Sequence, residues 1–271
     1  MYDVIIVGAG PAGLSAALVL GRCRRRVLVC DSGRPRNAAS QALHGYLTRD
    51  GIAPVELLRI GRDQLRQYDT IDWQDAEVVE AECRPDRRFR VALTDGREFA
   101  SRKLLIATGV VDSLPEIDGF RDLFGRSVFH CPYCDGWELR DEPLAVYGRG
   151  ARGLGLSLEL IGWSRDIVLC TDGPPEIDAD GRERLARNGI AVRQDRVDRL
   201  EGRDSRLALR LGCEFNEKGT VRTGKYEATH LPGLYVAGDA SRAVQWVVVA
   251  AAEGAEAAFA INTDLLREDL K

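Results

Sequence analysis

Two thiols stand three residues apart in Cys131-Pro132-Tyr133-Cys134, and an acid, Asp135, follows them directly. A close cysteine pair has two chemical uses: it opens and closes a small disulfide, or it supplies half of a metal site. The remaining reading is a pair of buried structural thiols. At the start of a helix one thiol gives up its proton near neutral pH and becomes a nucleophile. Pro132 restricts the loop in either redox state. A zinc site needs a second ligand pair at matching spacing. The other five cysteines stand singly and His130 abuts Cys131, which is not a zinc-ribbon arrangement, so no metal is expected. Read locally, Asp135 is a candidate helix N-cap.

Glycines make the second cluster. Gly8-Ala9-Gly10-Pro11-Ala12-Gly13 follows a β-branched run at residues 2–7 and opens an apolar helical stretch to about Leu20. Residues 26–30 read as the next strand, closed by Asp31, which lies 18 residues after Gly13. This strand–helix–strand unit carries the dinucleotide fingerprint. Gly8 permits the tight turn, Gly10 lets a pyrophosphate approach the backbone, and Gly13 lets helix and strand pack closely. The helix N-terminus attracts the phosphates, and the Asp31 carboxylate accepts hydrogen bonds from the adenosine ribose. A purely structural glycine turn would not require that acid. A second unit repeats the pattern: a strand at 144–147, Gly148-Arg149-Gly150-Ala151-Arg152-Gly153, a helix to Gly162 and a strand at 167–170. The chain reads as an internal duplication whose second copy is the poorer one.

Between and beyond these units the pattern predicts a helix at 55–68 and strands at 76–83, 88–93 and 98–101, with Thr94-Asp95-Gly96 as a hairpin turn. A buried strand at 103–107 is stopped by Thr108-Gly109. Pro115 and Gly119 mark a crossing between domains. A last strand at 234–237 ends in Gly238-Asp239, and an Ala-rich helix covers 250–266. The length, 271 residues, suits about two domains, and 45% hydrophobic with 30% charged residues is an ordinary globular composition. A net charge of −4 supplies no basic field for nucleic acid or anionic lipid. The longest apolar stretch, 243–252, is interrupted by Gln245 and too short to span a bilayer. The N-terminus enters a strand with no charged lead or cleavage site, and seven cysteines is an odd number for a secreted framework. The expected compartment is the cytoplasm.

Four motifs occur in the order found in the low-molecular-weight thioredoxin reductase family. They are the Gly8 to Gly13 loop, Ala107-Thr108-Gly109, His130-Cys-Pro-Tyr-Cys-Asp-Gly136 and Gly233-Leu-Tyr-Val-Ala-Gly-Asp239, joined by Ala252-Glu253-Gly254 in the last helix. The chain resembles this family over essentially its whole length. Arg36-Asn37 and His44-Gly-Tyr-Leu-Thr48 are similar to the branch containing reductase-like dithiol oxidases. The resemblance implies an α/β fold of two Rossmann-like, three-layer ββα domains, the second inserted in the first. The FAD-binding domain would take 1–114 and 213–271. The inserted NAD(P)-type domain, 115–212, would carry the cysteine pair and be shortened.

The resemblance also implies roles. Cys134 would face the flavin as a charge-transfer thiolate, and Cys131 would exchange with the substrate disulfide. Asp135 would protonate the departing thiolate, with His130 a hydrogen-bonded neighbour. For FAD it implies Gly8, Gly10, Pro11, Ala12, Gly13 and Asp31 at the pyrophosphate and adenosine end, with Arg36, Asn37, His44, Ala107, Thr108 and Gly109 along the cofactor. Gly238 and Asp239 would hold the ribityl-phosphate portion. Val244 and Gln245 would start the last helix against the pyrimidine ring, where helix N–H groups stabilise reduced flavin. Trp246 is bulkier than this place in the family calls for.

The departures concern the electron donor. The family pattern has a basic cluster after the second strand of the second unit, to bind the 2′-phosphate of NADPH. Here that place reads Leu169-Cys170-Thr171-Asp172-Gly173. An acid repels a phosphate and suits a free ribose hydroxyl, so NADPH is disfavoured, while NADH, ferredoxin or a thiol stays open as donor. The stretch 197–212 is short, with Arg203-Asp-Ser-Arg206 joining almost directly to Leu211-Gly-Cys-Glu-Phe215. The expected partner is a thioredoxin-like protein or a small-molecule dithiol, and the expected assembly is a homodimer. Three functions compete: a reductase relay, a dithiol oxidase passing electrons to oxygen, and a flavin-binding redox sensor. The intact pair and Asp135 argue against the last.

Overall fold

A computed structural model of the chain describes residues 1–200, 226, 234–237 and 246–269. In chain order the first elements are β1 (Tyr2–Val7), α1 (Pro11–Arg22), β2 (Val27–Cys30), α2 (Pro54–Leu65), β3 (Ile71–Gln74), β4 (Val78–Cys83), β5 (Phe89–Leu93) and β6 (Glu98–Ile106). Two one-turn helices, α3 (Phe120–Leu123) and α4 (Pro132–Asp135), precede β7 (Leu144–Tyr147) and α5 (Gly150–Glu159). Then come β8 (Ile167–Cys170), α6 (Ala179–Arg187), β9 (Ala191–Arg193), β10 (Leu234–Val236) and α7 (Val247–Asp269).

The described residues fall into two compact units. The first takes Met1–Ala38, Tyr46–Val111 and the described part of Lys218–Lys271. The second takes Ala39–Gly45 and the described part of Asp112–Glu217. The short segment Ala39–Gly45 therefore groups with the second unit, although the expected boundary at 114 and 115 had assigned it to the first.

In the first unit the sheet order is β3-β2-β1-β6-β5-β4, and β10 also pairs with β6. β3, β2, β1, β6 and β10 run parallel, whereas β4, β5 and β6 form an antiparallel meander. Side chains alternate across a strand. Val4, Ile6, Val27 and Val29 accordingly pack under α1 and α7, while Ile5, Val7 and Leu28 meet Phe89, Val91 and Leu93 on the opposite face. Being covered on both sides, β2 is buried throughout. α7 crosses α1 so closely that a β-carbon on Gly254 would overlap the Ala12 carbonyl oxygen.

Two expectations change here. The strands expected at 98–101 and 103–107 are one strand, β6. Its first half pairs antiparallel with β5 and its second half parallel with β1, so the chain changes neighbour without a break. β3, which the sequence reading missed, is the polar run Ile-Asp-Trp-Gln extending the parallel sheet beside β2.

The second unit contains a parallel sheet of order β7-β8-β9, and Val146 and Leu169 of the sheet share one core with Leu160, just after α5, and Leu185 of α6. Asp178 caps α6 by accepting from the Gly181 N–H at 2.8 Å. No helix among the described residues is long and apolar enough to cross a membrane.

Candidate active site

The dinucleotide cradle is built at the C-terminal ends of β1, β2 and β6. Gly8 has φ +101, a conformation only glycine takes freely, and its N–H donates to the Cys30 carbonyl at 2.8 Å. β-Carbons on Gly8 and Gly13 would overlap the carbonyl oxygens of Ala107 and Gly8 respectively. Gly10 differs, for a β-carbon there would meet nothing within 4 Å. It is the N-cap of α1, and Pro11 at the first helical position needs no N–H partner. Open ground in front of a bare glycine at a helix N-terminus suits a pyrophosphate. Asp31, at the end of β2, accepts from the Ala9 N–H at 3.2 Å. Ala107 donates to the Val7 carbonyl at 2.8 Å, beyond which Thr108 is exposed and Gly109 turns with φ +66. Gly8, Gly10, Pro11, Ala12, Gly13, Asp31, Ala107, Thr108 and Gly109 are thus gathered at one sheet end, and the residues present fit an FAD pyrophosphate and ribose.

Arg36 and Asn37 are half-buried in the loop after β2. His44 belongs to the second unit. Gly238, Asp239, Val244 and Gln245 lie outside the described residues. Trp246 is exposed, and its carbonyl accepts from the Ala250 N–H at 2.8 Å.

The cysteine pair sits on α4. Cys131 is the N-cap, with φ −132 and ψ 110, and Pro132 fills the first helical position. Asp135 is therefore not the cap that its local sequence suggested; it closes the turn. Gly136 follows because a β-carbon there would overlap the Pro132 carbonyl and stand 3.0 Å from the Trp163 ring. Cys131 and Cys134 stand as free thiols within hydrogen-bond reach of each other. A hydrogen bond from the Cys134 thiol holds the Cys131 thiol below its ordinary pKa, against the opposing effect of burial. The N–H groups of Cys134 and Tyr133 help, while the Asp135 charge opposes. The lowering comes from these hydrogen bonds, since a one-turn helix has little dipole to offer. Cys30 is the contrast: burial in the sheet pushes its thiol up to about 12, which makes it inert.

Burial pushes the Asp135 carboxyl up to about 6; the charge of His44 lowers it and that of Glu138 raises it. A carboxyl that keeps a proton near pH 6 suits proton donation to a thiolate. Asp135, His44, Glu138, Phe129 and Trp137 line one recess of about 450 Å³. His44 Nε2 is 3.6 Å from Glu138 Oε1. His130 stacks on Phe124, with ring centres 5.8 Å apart. Tyr133 meets Trp163 edge-on at 5.4 Å, and the Arg140 guanidinium covers the exposed Trp137 ring at 4.3 Å. Glu138 was missed in the sequence, though its place three residues after Asp135 was a usable signal.

The second glycine loop is engaged by its own chain. The Gly150 N–H donates to the Pro175 carbonyl at 2.9 Å, so the segment after β8 lies across the start of α5. Arg149 donates through Nε to the Thr171 carbonyl at 2.5 Å and through its guanidinium to the Asp172 carbonyl. The Asp172 carboxylate accepts from the Val197 N–H at 2.9 Å and from the Tyr147 hydroxyl at 3.3 Å, with Arg149 3.4 Å away. Asp172 is therefore paired, and its expected repulsion of a phosphate is offset by Arg149. The Gly150 N–H and the Arg149 guanidinium are thus both engaged within the chain.

A family model described as Pyridine nucleotide-disulphide oxidoreductase matches residues 2–211. Thioredoxin reductase tcpT of Claviceps purpurea is 30% identical over 99% of this chain and 95% of its own. Among solved structures, a putative thioredoxin reductase TrxB from Bacillus anthracis has a TM-score of 0.91 at 30% identity, covering 99% of this chain and 100% of that one. HlmI has a TM-score of 0.91 at 37% identity, covering 99% and 94%. The chain belongs to the pyridine nucleotide-disulphide oxidoreductase family, and its class is that of an FAD-dependent, thioredoxin reductase-like disulfide oxidoreductase.

Proposed function

We propose that the protein relays electrons between FAD and a dithiol–disulfide substrate through Cys131 and Cys134. The observation that carries this reading is the hydrogen-bonded thiol pair with its lowered Cys131 and the proton-holding Asp135 behind it. Bound FAD supplies two-electron redox chemistry. In the reducing direction the Cys131 thiolate attacks one sulfur of the substrate disulfide. The substrate S–S bond breaks, and the departing thiolate takes a proton from Asp135. Cys134 then attacks Cys131 Sγ, releasing the second substrate thiolate and closing the Cys131–Cys134 disulfide. In the oxidising direction the same bonds form and break in reverse, and Asp135 takes the proton.

The reductase names of the relatives support a thioredoxin-like substrate. A second reading is favoured by the self-occupied glycine loop at Gly150: electrons enter from a small-molecule dithiol and leave to oxygen, with no nicotinamide. NADPH is then a poor donor, and ferredoxin is the alternative protein donor. The FAD contacts assigned by resemblance to Arg36, Asn37, His44, Gly238, Asp239, Val244 and Gln245, a homodimer and a cytoplasmic location belong to the same proposal. Anaerobic stopped-flow mixing of the FAD-loaded protein with NADPH, NADH, reduced ferredoxin or a dithiol, followed at the flavin band, tests the donor. Bleaching by dithiol and none by micromolar NADPH is expected; rapid bleaching by micromolar NADPH overturns the donor reading. In air, peroxide release with dithiol favours the oxidase, and turnover with a thioredoxin favours the reductase.

A further inference from the structure

The segment Ala39–Gly45, in which the resemblance marks only His44-Gly45, groups with the cysteine-bearing unit, and its Leu43 is buried. Its consequence is local. His44 Nε2 comes to 3.6 Å from Glu138 Oε1, and both side chains line the same recess as Asp135. Glu138 is the most exposed of the three. Asp135 is half-buried, the His44 side chain is 22% exposed and that of Glu138 is 45% exposed. Asp135 must exchange its proton with water once per thiol–disulfide exchange. Imidazole takes a proton at one nitrogen and releases one at the other, and a neighbouring carboxylate orients the ring and stabilises its charged form. The charged and titratable groups facing Asp135 are Cys131, His44 and Glu138, with Arg126 and Arg140 on the recess wall.

We propose that His44 and Glu138 are positioning residues for the Asp135 proton, His44 relaying it between Asp135 and water in the recess and Glu138 orienting the imidazole. The inference rests on the thiol–disulfide reading above. In the reducing direction Asp135 loses one proton to the departing thiolate, and one proton returns from water through His44. In the oxidising direction both transfers reverse. The relay itself gains and loses no electrons.

The test uses the FAD-loaded, pre-reduced protein and the rate of Cys131 alkylation by iodoacetamide from pH 4.5 to 9, resolved from the other cysteines by peptide mass spectrometry. Ionisation of Asp135 places an inflection near pH 6 on the wild-type profile. His44→Gln removes a positive neighbour and moves that inflection to higher pH. Glu138→Gln removes a negative neighbour and moves it to lower pH. A structural disturbance has no reason to give opposite signs. His44→Gln also slows exchange with 5,5′-dithiobis(2-nitrobenzoate) at pH 7 by about tenfold, a fraction of the 10²–10⁴ that general acid–base catalysis contributes. Displacement of both inflections in one direction, none at all, or unchanged exchange in His44→Gln overturns the proposal. Glu138 is exposed and its replacement isosteric, so Glu138→Gln alone decides the case if His44→Gln does not fold. Expected displacements in a protein that no donor reduces would leave the proton path standing and defeat the functional reading instead.

Discussion

Gly10→Ala separates the cofactor's contribution from the fold's. Gly10 has φ −68 and ψ −176, a backbone that alanine adopts without strain, and the new methyl meets no protein atom within 4 Å. Apo stability is therefore expected to stay level or rise by roughly 0.4–1 kcal/mol, through the lower entropy of the unfolded chain. The methyl stands in the space allotted to the pyrophosphate, and forcing an added methylene into a filled site costs about 1–3 kcal/mol. FAD affinity should fall roughly 5- to 150-fold. Gly13→Ala is the control with the opposite signature. Its methyl would overlap the Gly8 carbonyl oxygen, so α1 must back away from β1 and the apo protein itself loses about 1–3 kcal/mol. Urea unfolding of the apo proteins and FAD fluorescence titration measure both quantities. Wild-type FAD affinity in Gly10→Ala would refute the reasoning, for the phosphates would then lie elsewhere.

Removing the Cys134 thiol by Cys134→Ala takes away the hydrogen bond that holds Cys131 below its ordinary pKa, so Cys131 alkylation at pH 7 slows and its profile moves to higher pH. Asp135→Asn makes a pH-dependent change in stability. The folded carboxyl, pushed up to about 6 from 3.8, binds its proton more tightly than the unfolded one. Its favourable contribution is complete below about pH 4 and lost as pH rises through 6. The variant should therefore match wild type at pH 4 and exceed it by roughly 1–3 kcal/mol at pH 8, read from urea unfolding. Gly254→Ala drives a methyl into the Ala12 carbonyl and should lower the apo melting temperature by several degrees, since about 1–3 kcal/mol of overpacking is spread over a chain of this size.

The glycine motifs were legible because their constraint is local. Gly8, Gly13 and Gly136 each leave no room for a side chain, and such places mark the sequence directly. The strand pattern at β1 and β2 was equally plain, as both are buried on two faces. β3 was hidden because its four residues, Ile71, Asp72, Trp73 and Gln74, show neither a buried run nor a clean apolar alternation; pairing with β2 is what makes them a strand. The helix-cap reading of Asp135 failed by four positions, because Pro132 fixed the helix start one residue after Cys131. Asp172 was read for its charge alone, as an acid where the family pattern has a basic cluster. Its partners Tyr147, Arg149 and Val197 lie 23 to 25 residues away in sequence, and only the fold brings them together. His44 is the same case over a longer span, since nothing in the residues around it specifies Glu138 as its neighbour.

Counting electrons tests the central claim most directly. The FAD-containing protein, fully oxidised under argon, is titrated with dithionite while the flavin absorbance is followed. A redox-active Cys131–Cys134 pair coupled to the flavin stores two electrons in addition to the flavin's two. Complete reduction should therefore consume about four electrons per FAD, falling to about two in Cys131→Ser and in Cys134→Ser. An endpoint at two electrons in the wild-type protein, indistinguishable from the variants, would contradict the relay.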